Sequence, residues 1–199
     1  MPRKKHEWYE GAKLHVIARG NRRSDIFKDE NDYKIYLNCL NEAMEYYKNK
    51  YKIIAYALMT NHIHIIIETS DKDVSDLIKR AHGIYALKFN KKYSYIGHLF
   101  QDRYKGIVIK NDSHLMVVSR YVHLNPVKAN IVEKPEQYKW SSFSTYIGKA
   151  NQKIVSTETI LNYFKSNERY KRFVEISLPD EEADVMDVFD SLIFEMRAR

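Results

Sequence analysis

The sequence has little of what a secreted or membrane-bound protein requires. Cys39 is the only cysteine in 199 residues, so it cannot form an internal disulfide, and this suits a reducing compartment. The longest apolar runs are far shorter than the ~18 residues needed to cross a bilayer. The N-terminal segment MPRKKHEWYEG has basic residues but lacks the apolar stretch of a secretory signal. We therefore expect a cytoplasmic protein with no membrane partner.

The chain also lacks internal repeats and low-complexity linkers, and its length fits one domain with a short C-terminal addition. Its formal charge of +7 is unevenly distributed. Residues 1–130 contain 23 Lys and Arg against 14 Asp and Glu, whereas residues 131–199 contain 10 against 12. The positive field of the first part favours a polyanionic partner, most commonly nucleic acid, although a merely soluble basic protein is the alternative.

Hydrophobic periodicity predicts the element order β-α-β-β-α-β, followed by a third helix. The predicted strands cover 12–20, 51–59, 62–68 and 99–110, and the predicted helices cover 28–50, 71–93 and 111–125. Asp112 or Ser113 is the expected cap of the third helix, and Asn125-Pro126 is expected to end it. The order is that of an α+β, ferredoxin-like βαββαβ antiparallel sheet with helices on one face.

Two histidines, His62 and His64, stand one residue apart in MTNHIHIIIE (59–68). On a strand they share one face, while Ile63, Ile65 and Ile67 point to the core, so we expect the imidazoles on the open face of the sheet. Such a pair can bind a divalent metal. Two ordinary hydrogen-bonded histidines and a four-ligand zinc site are alternatives. An open site with an added oxygen ligand better fits Mg²⁺ or Mn²⁺.

A tyrosine and an asparagine share one face of the third predicted helix. Tyr121 and Asn125 are four residues apart in SRYVHLNPVKANIV (119–132). Asn125 offers a carbonyl oxygen to a metal, and the Tyr121 phenol is a possible nucleophile on a phosphodiester. Because the chain has sixteen tyrosines, this spacing alone favours Tyr121 only modestly. His123 lies on another side of the helix, where we expect it to support the site or to pack.

Several segments in order resemble one known family. They are HVIARGNRRSDIF (15–27), YALMTNHIHIIIE (56–68), GHLFQDRYKGIVI (97–109), SRYVHLNPVKANIV (119–132) and WSSF (140–143). Together they resemble the REP-associated tyrosine transposases, relatives of the single-tyrosine HUH transposases of simple insertion sequences. The resemblance implies a catalytic domain over residues 1–147 and leaves 148–199 as a helical C-terminal extension of unknown role.

The resemblance also implies roles for individual residues. Tyr121 matches the family's nucleophile, and His62, His64 and Asn125 match its ligands for Mg²⁺ or Mn²⁺. The implied reaction is cleavage of single-stranded DNA at hairpin-containing sites. It leaves a 5′-phosphotyrosine and a free 3′-OH that can rejoin strands. The implied assembly is a monomer or a homodimer.

Two other functions are alternatives to strand transfer. One is a domesticated hairpin-binding regulator without turnover, although such a protein has no need of a complete metal site. The other is an RNA-binding ferredoxin-like domain, which usually exposes aromatic residues where this chain has histidines. Candidate DNA contacts are Arg19, Asn21, Arg22, Arg23, Arg103, Lys105, Arg120 and Lys128. Tyr9 and Tyr104 are candidates for base stacking, although packing is the favoured role for each.

Overall fold

A four-stranded antiparallel sheet forms the centre of the protein. The computed structural model describes residues 8–176. The strands are β1 (Lys13–Arg19), β2 (Tyr51–Met59), β3 (His62–Thr69) and β4 (Lys105–Val108), in the spatial order β2-β3-β1-β4. Every neighbouring pair is antiparallel. This is the order that the ferredoxin-like motif requires, so the predicted fold class is confirmed.

Two long helices cover one face of this sheet. They are α1 (Glu30–Tyr46) and α2 (Val74–Tyr93). A capping box begins α1, because the Asp29 carboxylate accepts from the Asp32 N–H at 3.1 Å and the Asp32 carboxylate accepts from the Asp29 N–H at 3.3 Å. Ile63, Ile65 and Ile67 of β3 are buried in the cluster beneath these helices, as their alternation predicts.

The other face of the sheet is not open, which differs from our expectation. Helix α3 (Asp112–Lys128) lies on β2 and β3 and closes a second apolar cluster with Ile66 of β3. The register of β2 shifts between Ile53 and Ala55, and both Ile54 and Ala55 belong to this second cluster. We call the face of the sheet that has His62 and His64 the histidine face. It is covered by α3, whereas α1 and α2 cover the opposite face.

Helix α3 starts and ends differently from its prediction. Its cap is Asn111, whose side chain accepts from the His114 N–H at 2.8 Å. It continues past Pro126 to Lys128, because a proline near the end of a helix removes only one hydrogen bond. Asn130, at φ 54°, then ends the helix: its N–H bonds the Val127 carbonyl, and the Ile131 N–H bonds the Pro126 carbonyl.

The residues after α3 pack on the same face. Three short helices, α4 (Phe143–Tyr146), α5 (Glu158–Leu161) and α6 (Asn167–Glu175), contribute to the cluster that contains α3. The division at residues 147 and 148 remains a prediction, and the helix expected within 178–199 lies outside the described residues. No helix within residues 8–176 is long and apolar enough to cross a membrane.

Candidate active site between the sheet and helix α3

The paired histidines lie at the start of β3, beside β1. In the strand register, His62 is opposite Arg19 and His64 is opposite Ile17. The two imidazole centroids are 5.1 Å apart and their planes are nearly perpendicular, at 84°. His62 is half-buried and His64 is completely buried. Strand alternation therefore brings both rings to one face, as predicted, but the face is covered at His64.

The hydrogen bond at Nδ1 of His62 indicates which ring nitrogen has a proton. His62 Nδ1 is 2.7 Å from Oδ1 of Asn61, an oxygen that only accepts. The Asn61 amide nitrogen donates to the Arg23 carbonyl at 3.3 Å, which is consistent with this orientation of the amide. His62 therefore has a proton on Nδ1, and Nε2 is the nitrogen that has the lone pair in the neutral ring.

His64 Nε2 is buried and has no hydrogen-bond partner among residues 8–176. Burial lowers the pKa of His64 well below its usual range, and the neighbouring His62 and His15 lower it further. The ring is therefore neutral. A neutral, buried imidazole with an unsatisfied nitrogen fits the chemistry of a metal ligand.

His15 of β1 is a third histidine at this site, and the sequence-based predictions did not include it. Its Nε2 is 3.0 Å from Nδ1 of His64, and the two rings stack at 5.2 Å with 28° between their planes. Burial lowers the pKa of His15 to about 3, with a smaller effect from His114. The only signal in the sequence was a histidine inside an apolar strand. Its proximity to His64 depends on the β1–β3 register, which pairs His15 with Ile66.

Tyr121 of α3 lies against two of these rings. Its ring meets His64 edge-on at 5.5 Å and 81°, and meets His15 at 5.9 Å and 71°. The residue has an exposed fraction of 0%. The ammonium of Lys128, two helical turns later, is 5.2 Å from the Tyr121 ring centroid. Helix α3 thus brings the predicted nucleophile to the histidine pair.

Asn125 follows Tyr121 by one helical turn and is also buried. Its amide nitrogen donates to the backbone carbonyl of Tyr121 at 3.0 Å, and this bond does not use the amide oxygen. No cluster of three or more His, Cys, Asp or Glu side chains with metal-binding geometry occurs within the described part of the chain. The predicted ligand set therefore consists of two imidazoles and an amide oxygen, without a carboxylate.

Several predicted DNA contacts lie on the histidine face or in the segments next to strands β1 and β4. Arg19 is opposite His62, and Lys105 of β4 is opposite Ile17, so both lie on the histidine face. Asn21, Arg22 and Arg23 form a 3-10 turn (Asn21–Arg23) directly after β1, and both arginines are exposed. Arg103 is exposed in the loop before β4 rather than on the strand, because β4 is shorter than its prediction.

Arg120 corrects one of these predictions. It is only 5% exposed, its Nε donates to the Phe173 carbonyl at 2.9 Å, and its Nη2 donates to the Ile176 carbonyl. The residue directly before Tyr121 points about 100° round the helix, towards the C-terminal end of α6. Its guanidinium binds the end of α6 and is not available to a DNA phosphate.

His123 and Tyr104 pack in the protein interior, whereas Tyr9 is exposed. His123 is buried between Tyr170 and Ser142, with each ring nitrogen 2.8 Å from one hydroxyl, so it packs as expected. Tyr104 is half-buried against the cluster under α1 and α2, which also agrees with packing. Tyr9 is 52% exposed.

Comparison with known proteins identifies a family model and similar structures. The model described as "Transposase IS200 like" matches residues 9–125. A search of curated proteins finds no match. A REP-associated tyrosine transposase, solved with a REP hairpin bound, is 16% identical with a TM-score of 0.63. The alignment covers 78% of this chain and 98% of that one, so the two share a fold.

Two weaker structural similarities have TM-scores below 0.5. A putative transposase from Deinococcus radiodurans is 16% identical with a TM-score of 0.42, and the alignment covers 58% of this chain and 92% of that one. The tRNA(His) guanylyltransferase of Saccharomyces cerevisiae is 13% identical with a TM-score of 0.46, with 92% and 80% covered. Neither supports a conclusion about this chain.

Proposed function

The chain belongs to the IS200-like transposase family, and we propose that it cleaves and rejoins single-stranded DNA at hairpin-containing sites with Tyr121 as the nucleophile. The observation that supports this proposal best is the contact between Tyr121 and His64. A phenol on α3 and an imidazole on β3 come from segments 57 residues apart, yet their centroids are 5.5 Å apart. A phenol beside a metal-binding imidazole is the arrangement that phosphodiester attack needs.

The proposed reaction conserves the number of phosphodiester bonds. The Tyr121 oxygen forms a bond to the scissile phosphorus, and the bond from phosphorus to the 3′ oxygen breaks. The phenol loses its proton and the departing 3′ oxygen gains one, so neither water nor ATP is consumed. The product is a 5′-phosphotyrosine and a free 3′-OH. Attack by a 3′-OH reverses the step, which allows strands to be exchanged.

We propose that His62, His64 and Asn125 hold the divalent cation, Mg²⁺ or Mn²⁺. The unpartnered Nε2 of His64 and the Nδ1 bond of His62 to Asn61 support two imidazole ligands. The cation would supply Lewis-acid stabilisation of charge on the phosphate oxygens. The protein's own residues orient the two imidazoles, bury the Tyr121 ring and exclude water from His64.

The proposed DNA partner is a hairpin with a single-stranded flank. The similar transposase was solved with a REP hairpin, and this chain has cations on the histidine face of its sheet. Arg19 and Lys105 lie on that face, Lys128 lies over Tyr121, and Arg22 and Arg23 are exposed beside β1. These cations attract the phosphates of DNA but do not distinguish one base sequence from another.

The deciding experiment incubates the protein with Mn²⁺ and a labelled hairpin from the DNA beside its own gene. We expect a covalent adduct on denaturing gels, which chelator prevents and which Tyr121→Phe abolishes. Tyr163→Phe is the matched control, because Tyr163 is 56% exposed and lies outside the site. An adduct that persists in Tyr121→Phe would exclude Tyr121 as the nucleophile.

One observation favours a second function, hairpin binding without turnover. Tyr121 is completely buried in this structure, so no phosphate can reach its hydroxyl without movement of the side chains that cover it. Under this alternative, wild-type protein and Tyr121→Phe bind the hairpin equally and neither forms an adduct. The same gel therefore distinguishes the two functions.

A further inference from the structure

We propose that His15 is a positioning residue for the metal site, acting through His64. In this inference, which rests on the proposed function, His15 Nε2 accepts a hydrogen bond from the Nδ1–H of His64. The bond keeps His64 in the tautomer whose Nε2 lone pair is available to a cation. His15 itself does not touch the metal or the DNA.

The geometry requires a single proton between the two rings. His15 Nε2 and His64 Nδ1 are 3.0 Å apart, a hydrogen-bond distance, and both residues have an exposed fraction of 0%. Two neutral imidazoles can share only one proton at that position. If His15 were the donor, the other proton of His64 would be on Nε2, and His64 could not bind a metal.

The requirement for a metal-binding lone pair on His64 distinguishes the two directions. His64 Nε2 is buried without a hydrogen-bond partner in residues 8–176. If His15 accepts, the buried N–H that remains is on Nδ1 of His15 and the lone pair is on Nε2 of His64, where a cation can bind it; if His15 donates, Nε2 of His64 has the proton and cannot bind a cation. A metal-binding histidine usually donates its second ring N–H to a fixed acceptor, and His15 is the acceptor at hydrogen-bond distance here.

His15 also contacts the proposed nucleophile. The Tyr121 ring meets His15 at 5.9 Å and His64 at 5.5 Å, so His15 borders both the ligand and the phenol. It lies mid-strand, opposite Ile66 on one side and Ile107 on the other. Paired strands on both sides restrain its backbone, which makes it a rigid support for His64.

Two variants separate this role from simple packing. His15→Leu removes the acceptor and keeps a buried apolar side chain, while His15→Gln keeps a carbonyl oxygen that can accept near the Nε2 position. We expect His15→Leu to weaken Mn²⁺ binding, measured by electron paramagnetic resonance, about 10- to 100-fold. We expect His15→Gln to restore most of the affinity, and hairpin binding without metal to stay unchanged in both.

A second measurement needs no variant. Nitrogen-15 NMR of the metal-free wild type should find the His64 proton on Nδ1. A proton on Nε2, or wild-type Mn²⁺ affinity in a folded His15→Leu, would overturn the proposal. If His15→Leu does not fold, the wild-type NMR result decides.

The proposed metal site is tested separately with His62→Ala. If that variant loses Mn²⁺ while His15→Leu keeps it, the positioning role fails and the metal site stands. If wild-type protein binds no Mn²⁺, both fail.

Discussion

Tyr121 lies among side chains from distant parts of the sequence, because His15 and His64 both approach its ring. The helical turn that it shares with Asn125 follows from spacing, whereas its place beside His64 was expected from the family resemblance. Its complete burial was not predicted, because burial depends on how α3 lies on the sheet. The contacts of Arg120 and His15 could not be predicted for the same reason. The first is covered by α6 and the second meets His64 through strand register, and neither contact is local in sequence.

His82 of α2 should make the protein less stable in acid. The half-buried ring stacks on Phe100 at 4.1 Å and its Nε2 is 3.0 Å from the Tyr36 hydroxyl. Desolvation lowers the pKa of His82 to about 3, compared with about 6.5 in an unfolded chain. The unfolded state therefore binds the proton first. The stabilisation is complete above pH 6.5 and is lost as the pH falls towards 3.

The measurement is urea unfolding at pH 7 and pH 5. Because the ring keeps some contact with solvent, we expect His82 to contribute about 1 kcal/mol to the loss of unfolding free energy between these values. His82→Gln keeps a polar partner for Tyr36 but cannot titrate, so its loss should be smaller by that amount. Equal losses in the two proteins would contradict the assignment.

At the scale of elements, α6 is joined to α3, the helix that contains Tyr121, by hydrogen bonds between buried hydroxyl and imidazole groups. The Tyr170 hydroxyl is 2.8 Å from His123 Nδ1 and 3.2 Å from the Ser119 hydroxyl, and all three residues are buried. Tyr170→Phe leaves His123 Nδ1 without this partner, and an unsatisfied buried polar group costs about 1–3 kcal/mol. We expect a loss of this size in urea unfolding. The exposed Tyr163→Phe should change stability by less than about 0.5 kcal/mol.

Gly20 controls the turn that presents Arg22 and Arg23. A Cβ at this position would lie 2.0 Å from the Ser24 carbonyl oxygen and 2.9 Å from Ile26 Cγ2, so Gly20→Ala must displace the turn. We expect at least about 1 kcal/mol of destabilisation and weaker hairpin binding, measured by urea unfolding and fluorescence anisotropy.

Gly83→Ala is the control for Gly20→Ala. Gly83 lies within α2 and a Cβ there would meet nothing within 4 Å. Alanine should therefore stabilise the helix by up to about 1 kcal/mol and leave hairpin binding unchanged. Unchanged stability and binding in Gly20→Ala would show that the turn adapts to the added carbon.

Element positions were predicted well where the apolar pattern had clear boundaries. The predicted β2 has the observed bounds, and β3 ends one residue later than predicted. The fourth strand was predicted too long: only Lys105–Val108 forms the strand, and Phe100 makes just an isolated bridge to Gly20. Hydrophobic alternation alone does not distinguish an isolated β-bridge from a full strand. A proline near the end of a predicted helix also does not always terminate that helix.

At the scale of the whole molecule, the positive charge should act through the histidine face. Replacing Arg22 and Arg23 together with glutamine should weaken hairpin binding and reduce the slope of log affinity against log salt by about one to two. Lys34→Gln combined with Lys79→Gln removes the same charge from α1 and α2, which cover the opposite face. That control should change the slope much less. Equal slopes in both double variants would exclude a localised DNA surface.

The order of the elements along the chain has a consequence for biosynthesis. The strands with His15, His62 and His64 precede α3, and α6 supplies the hydroxyl of Tyr170 and the carbonyls that bind Arg120. On the ribosome, a nascent chain can therefore pair β1 with β3 before α6 is available to pack against α3. The contacts that support α3 are complete only after translation has passed residue 176, so Tyr121, the proposed nucleophile, is among the last residues of the site to be held in place.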